Sequence, residues 1–288
     1  MPKTASTFTL LLLCLSAVIA GSGFADAQYS GTVCINSDGS VTGTSSIQRQ
    51  GSHYILTGNI TGGISVQKSN IVLDGNGFAI IGSGEGWGID LSNGRSQNPA
   101  RPEISNVTIA NLTVTDFYYG INNANTNSNT FEGNHIIDCV SSLWIIGSSN
   151  NTILNNTFER AGITINYAGF SVITGNDFIN CSIQVWLSQL PDLNMNYWSD
   201  YNERYPSAKE TGTSGIWNTP YVIGDNCSDT QPRIHPMADS LSSNMENSTD
   251  PSQTSPLIQN YIAISIAAVA VILAAVFLAH KKRRIRCE

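Results

Sequence analysis

Between Asn106 and Leu187 short apolar pieces alternate with polar pairs, and the alternation repeats. Four segments fall into register: Asn106-Val-Thr-Ile-Ala-Asn-Leu-Thr-Val, Ser128-Asn-Thr-Phe-Glu-Gly-Asn-His-Ile, Asn150-Asn-Thr-Ile-Leu-Asn-Asn-Thr-Phe and Phe170-Ser-Val-Ile-Thr-Gly-Asn-Asp-Phe. Aligned this way, large apolar residues form columns. One is Ile109, Phe131, Ile153, Ile173; a second is Val114, Ile136, Phe158, Phe178; a third is Ile121, Leu143, Ile165, Val185. All three advance by 22, 22 and then 20 residues. A period in this range marks a solenoid. Helical spacing is absent, which sets helical repeats aside, and the columns lack the leucine of a horseshoe repeat.

The pieces are short, β-branched or aromatic, and separated by Gly-Asn or Asn-Asn. This predicts an all-β fold, a parallel β-helix of about five to six coils with three strands each. Strands pair with the next coil rather than within their own, so each coil satisfies its neighbour's backbone groups. Gly133-Asn134, Asn155-Asn156 and Gly175-Asn176 recur at one corner. Gly and Asn accept the positive φ of a sharp turn, and stacked Asn amides can hydrogen-bond along the stack. Upstream, Tyr54 to Val66 reads as an irregular first coil. In the next, Leu73 continues the Ile109 column and Gly88-Ile89 matches Gly120-Ile121. Asn93 to Glu103, with Pro99 and Pro102, reads as an insertion.

The flanks change the picture from a bare solenoid to a surface protein. Lys3, the apolar run Phe8–Ala20 and the Ala25-Asp26-Ala27 site predict a signal peptide over 1–27. An N-terminal cap is expected over 28–52, repeats over 53–192 and a C-terminal cap over 193–237, with Trp198 and Tyr201 over the last apolar ring. Residues 238–259, rich in Ser, Thr, Asn and Pro, read as a stalk. The apolar stretch over 260–280 predicts one transmembrane helix, and 281–288, with Lys281-Lys282-Arg283-Arg284, a cytoplasmic tail. The membrane is therefore an expected partner, and the body is expected outside the cell.

Charge narrows the partners. Only 12% of residues are charged and the pI is near 5.0. Between Gln28 and Gln259, 8 Lys or Arg face 19 Asp or Glu, a balance of −11. Such a surface repels nucleic acid. Four cysteines lie in this part: Cys34, Cys139, Cys181 and Cys227. Cys139 and Cys181 share a column two coils apart, roughly 9.6 Å, which is beyond disulfide reach.

Some stretches resemble a known family. Cys34-Ile-Asn-Ser-Asp-Gly-Ser-Val, Ile47-Gln-Arg-Gln-Gly and Leu73-Asp-Gly-Asn-Gly, then Asn196-Tyr-Trp-Ser-Asp-Tyr and Ile216-Trp-Asn-Thr-Pro-Tyr-Val-Ile, are similar to archaeal cell-surface β-helix proteins. These carry the NosD-like, or carbohydrate-binding and sugar-hydrolase, repeat. The resemblance spans about residues 32–237 and implies a right-handed helix. Relatives carry an Asp-rich run before the Thr-Pro-Tyr-Val-Ile element; here Glu210-Thr-Gly-Thr-Ser-Gly holds one carboxylate, too few for calcium. The NosD name suggests copper, but His53, His135 and His235 are widely spaced, and His235-Pro-Met237 reads as surface sequence. No metal and no cofactor is expected.

The candidate chemistry is of three kinds. Asp116, Asp138, Arg160 and Asn180 form a polar column. Asp116, Asp138 and Arg160 are the catalytic candidates of a polysaccharide lyase or hydrolase; a cross-strand Asp138–Arg160 ion pair is the competing reading. Tyr118, Tyr119, Trp144, Tyr167 and Trp186 could stack on sugars of a surface polysaccharide or envelope glycoprotein. Asn59, Asn106, Asn111, Asn150, Asn155, Asn180, Asn226 and Asn247 open N-glycosylation sequons. The expectation is a non-catalytic, glycan-binding or envelope protein, with the enzyme and a copper-handling accessory as alternatives.

Overall fold

The computed structural model describes residues 33–237 apart from 96, 97, 99, 167, 168, 187–190, 225 and 226. The expected signal peptide, stalk, transmembrane helix and tail, with Tyr167, Asn226 and Asn247, lie outside the described residues. Among the described residues no helix is long and apolar enough to cross a membrane.

The chain is a β-solenoid whose strands stack into three parallel sheets. Six complete coils are present among the described residues, from His53–Leu56, Ile60–Thr61 and Ile64–Val66 to Val172–Thr174, Asp177–Ile179 and Ser182–Trp186. Asp192–Asn194 and Tyr197–Trp198 begin a seventh. The first sheet stacks Leu73, Ile109, Phe131, Ile153, Ile173 and Leu193 in one ladder. The second stacks Ile80, Val114, Ile136, Phe158, Phe178 and Trp198. Every member of both ladders is buried. One coil cannot bury its inner face alone; six stacked coils make a continuous core.

The corner between these sheets is built from asparagine. Gly133, Asn155, Gly175 and Met195 turn it with φ between 55° and 69°. The next residue, Asn134, Asn156, Asn176 or Asn196, points inward and is almost fully buried. Each Oδ1 accepts from the backbone N–H and the amide of its counterpart one coil back, from Asn134 on Asn156 to Asn176 on Asn196. Each amide also donates to a backbone carbonyl one coil back, as Asn156 does to Phe131 at 2.9 Å. A buried amide is affordable only when its bonds are made, and this ladder makes them.

The ladder ends on Asp229. Its Oδ2 accepts from the backbone N–H and amide of Asn196 and from the indole N–H of Trp198. Aromatic rings close the same end: Phe178 stacks on Trp198 at 4.4 Å, and Trp198 on Tyr221 at 4.0 Å. Tyr201 is buried beyond Tyr221 and stacks on Trp217 at 5.0 Å. At the opposite end Val33–Ile35 stacks on Ile64–Val66, and the antiparallel Ile47–Gln50 edges the first sheet. These ends leave few free strand edges.

The third column needs correction. Ile121 pairs with Leu143 and Ile89 as expected, but Leu143 pairs with Ile163, and Ile165 with Ile145 and Val185. The step from Leu143 is thus to Ile163, two residues earlier than the alignment places it. Leu143 and Ile145 both point inward, as do Ile163 and Ile165, so the apolar pattern fits two registers a pleat apart. A β-bulge between Ser141 and Leu143 absorbs part of the difference.

Candidate functional site

That correction locates a recess. From the second ladder to the third, the chain runs Val114 to Ile121 and Ile136 to Leu143, seven positions in each, but Phe158 to Ile163 and Phe178 to Ile183, five in each. The longer corners carry Tyr118 and Val140, which stand 46% and 61% exposed. Beyond them the corner shortens to Ala161-Gly162 and Cys181-Ser182. The result is a recess of about 230 Å3 on the outer face of the third sheet. Tyr118, Tyr119, Val140 and Trp144 border it on one side; Ser141, Gly162, Thr164, Ser182 and Gln184 supply small and polar surface.

The rings hold one another in place. Tyr119 stacks on Trp87 at 4.0 Å and meets Tyr118 and Trp144 edge-on at 4.6 and 5.1 Å. Burial, and then the neighbouring Tyr118, raise the Tyr119 phenol, so it stays neutral in the physiological range. Ser141 is 7% exposed and its hydroxyl has no partner in the protein. That hydroxyl is enclosed by the sheet rather than open to the recess, and it is one of seven such side-chain atoms among the described residues.

Three of the expected sugar-stacking residues, Tyr118, Tyr119 and Trp144, therefore come together. Trp186 does not join them. It is in register with Asn166 and Ile146, one pleat beyond the Trp144 column, and is 51% exposed. Trp87 belongs to the cluster and was not singled out by its residue type. Its place is nonetheless visible in the chain, because it precedes Ile89 by two positions as Tyr119 precedes Ile121.

The polar column sits elsewhere. Asp116, Asp138, Arg160 and Asn180 are exposed corner residues with φ between 51° and 62°. Arg160 binds Asp138 through two bonds of 2.7 and 2.9 Å and also contacts Glu159. His135 lies 3.2 Å from Glu159, and Asp116 accepts from the Thr115 hydroxyl. The Arg160 guanidinium holds the Asp138 carboxyl below its ordinary range. A carboxylate so stabilised is a poor general acid.

Five sequon residues, Asn106, Asn111, Asn150, Asn155 and Asn180, occupy positive-φ corners. Asn59, Asn106, Asn111, Asn150 and Asn180 are exposed. The Asn106 and Asn111 amides are engaged, donating to Asn70 and Asp74. Cys34, Cys139, Cys181 and Cys227 are free thiols, and burial pushes Cys139 up to about 11, which keeps it protonated. Among the described residues no group of three His, Cys, Asp or Glu side chains could hold a metal.

A family model described as the right handed beta helix region matches residues 34–196. No curated protein and no solved structure matches the chain.

Proposed function

The chain belongs to the right-handed β-helix family, and from that premise we propose that it binds glycans, without turning them over, on the outside of a cell. One observation carries the reading: the rings of Tyr118, Tyr119 and Trp144, backed by Trp87, border a recess whose remaining lining mixes Val140 and Ile163 with hydroxyl, amide and glycine groups. Sugars present apolar C–H faces and hydroxyl edges. Aromatic bodies beside a few polar groups match both. The expected single span and basic tail would tether this body to a membrane, and the exposed sequons would carry sugars of their own.

Catalysis by Asp116, Asp138 and Arg160 is the weaker reading. Asp138 is held ionised by Arg160, and the column lies on a corner rather than in the recess. A copper-handling role has no ligand cluster to support it among the described residues.

A glycan array probed with the purified protein tests the proposal, beside reducing-sugar and unsaturated-product assays. Binding without turnover is expected, with Trp144→Ala weakening it about tenfold or more. Turnover that disappears in Asp138→Asn would overturn the proposal in favour of an enzyme.

A further inference from the structure

The recess beside Tyr119 and Trp144 does not stop at the last complete coil. Ser182 borders it and also borders a second recess of about 200 Å3, which runs under the C-terminal cap between Cys181, Trp198, Asp200, Arg204 and Tyr221. Tyr119, Ser141, Gly162 and Ser182 are in register on four adjacent strands. Three strand spacings of about 4.8 Å make roughly 14 Å of path before the cap is reached. That is too long for one sugar ring and suits a short chain.

The charges along this path are unusual for a surface of balance −11. Among the described residues, the aromatic half has no charged side chain in its lining. Among them the cap half has one cation, and it is already neutralised. The Arg204 guanidinium lies 4.4 Å over the Tyr221 ring and 3.9 Å from Asp200, and it donates to the Val222 carbonyl. Asp200 in turn accepts from the Tyr221 hydroxyl at 3.0 Å. On the third sheet Asp90 shares a register column with Asn122 and Trp144, and its carboxyl is engaged by Ser92 and Asn122, so it offers an anion no attraction. A polyuronate would bring one carboxylate per ring to this path and find no free cation along it.

We propose that the ligand is an uncharged oligosaccharide that spans both recesses, stacked on Tyr119 and Trp144 at one end and reaching Arg204 under the cap at the other. This rests on the glycan reading above and narrows it to a substrate class.

Calorimetry on the full-length protein with cellohexaose, mannohexaose and a six-residue oligogalacturonate, at low and high salt, tests it. Gly162→Leu is the informative variant. A Cβ there meets the Val140 carbonyl at 3.4 Å and the Ser182 hydroxyl at 3.7 Å, ordinary contacts, so the side chain obstructs the path without straining the backbone. Circular dichroism would verify its fold. A neutral hexamer should bind with salt-independent affinity, and Gly162→Leu should weaken it about tenfold more than it weakens the corresponding disaccharide. Preference for oligogalacturonate, weakened by salt, would overturn the uncharged ligand and leave the glycan reading standing. Hexamer binding lost in Trp144→Ala but unchanged in Gly162→Leu would overturn the spanning path. Binding of none of the three would overturn this proposal, while array binding of another glycan would still uphold the broader one.

Discussion

Two corners of the same coil behave in opposite ways. Between the first and second sheets the chain takes seven positions from Leu73 to Ile80, then five in every coil from Ile109–Val114 to Leu193–Trp198. Between the second and third it takes seven, seven, five and five. From Phe131–Ile136 onward the five-position corner has an asparagine buried inside it, whose amide must meet its counterpart in the next coil. A change in length there would strand several buried polar groups at once. The variable corner keeps its polar residues outside, at Asp116, Asp138, Arg160 and Asn180, so residues can be gained or lost cheaply. The lesson is that the ladder fixes the repeat and the free corner shapes the surface, here by leaving the recess.

The strongest way to break this contrast is Asn156→Ala. It removes the acceptor of Asn134 and the donor to Phe131, Leu154 and Asn176. Chemical denaturation should show a loss on the order of 3 kcal/mol. A variant as stable as the parent would mean that the ladder does not hold the corner.

A second change sharpens the comparison. One residue inserted on each side of Gly162 restores the seven-position corner in the fifth coil. Thermal unfolding should shift only slightly, as loop insertions usually allow, while glycan binding is abolished because the recess is filled. The same two residues placed between Asn155 and Asn156 should prevent cooperative folding.

A smaller, pH-dependent effect separates the ladder's end from the outer polar column. Burial raises the Asp229 carboxyl above its ordinary value, outweighing the donors around it, and does the same to Asp90. A raised folded-state value means that the folded protein holds the proton more tightly than the unfolded chain. Stability from these groups is therefore gained as pH falls from neutrality through their folded values, and it levels off below about 3.9. The melting temperature of the parent relative to Asp229→Asn should rise over that fall. A flat difference would show that Asp229 does not take up the proton.

The smallest effect is expected at the Asp138–Arg160 pair of the polar column. Arg160→Asn places at this corner the residue that the next coil uses there, Asn180, and Asn tolerates φ near 51°. The Asp138 pair it removes is exposed and screened. Melting and glycan binding at neutral pH should match the parent.

The chain by itself determined the solenoid, the first two ladders and the asparagine corner. Those features repeat at one fixed spacing, and a buried amide or a single inward apolar residue leaves no second register to choose. The aromatic types Tyr118, Tyr119 and Trp144 were also legible, though not their gathering around Trp87. Only the tertiary structure decided the third ladder. Strand alternation brings Leu143 and Ile145, or Ile163 and Ile165, to the same inner face, so sequence pattern cannot tell a shift of one pleat. That pleat puts the two-residue loss at the corner between the second and third sheets instead of the one leading from the third sheet into the next coil, and the recess exists because the stacking of whole coils, not the order of residues within one, puts it there.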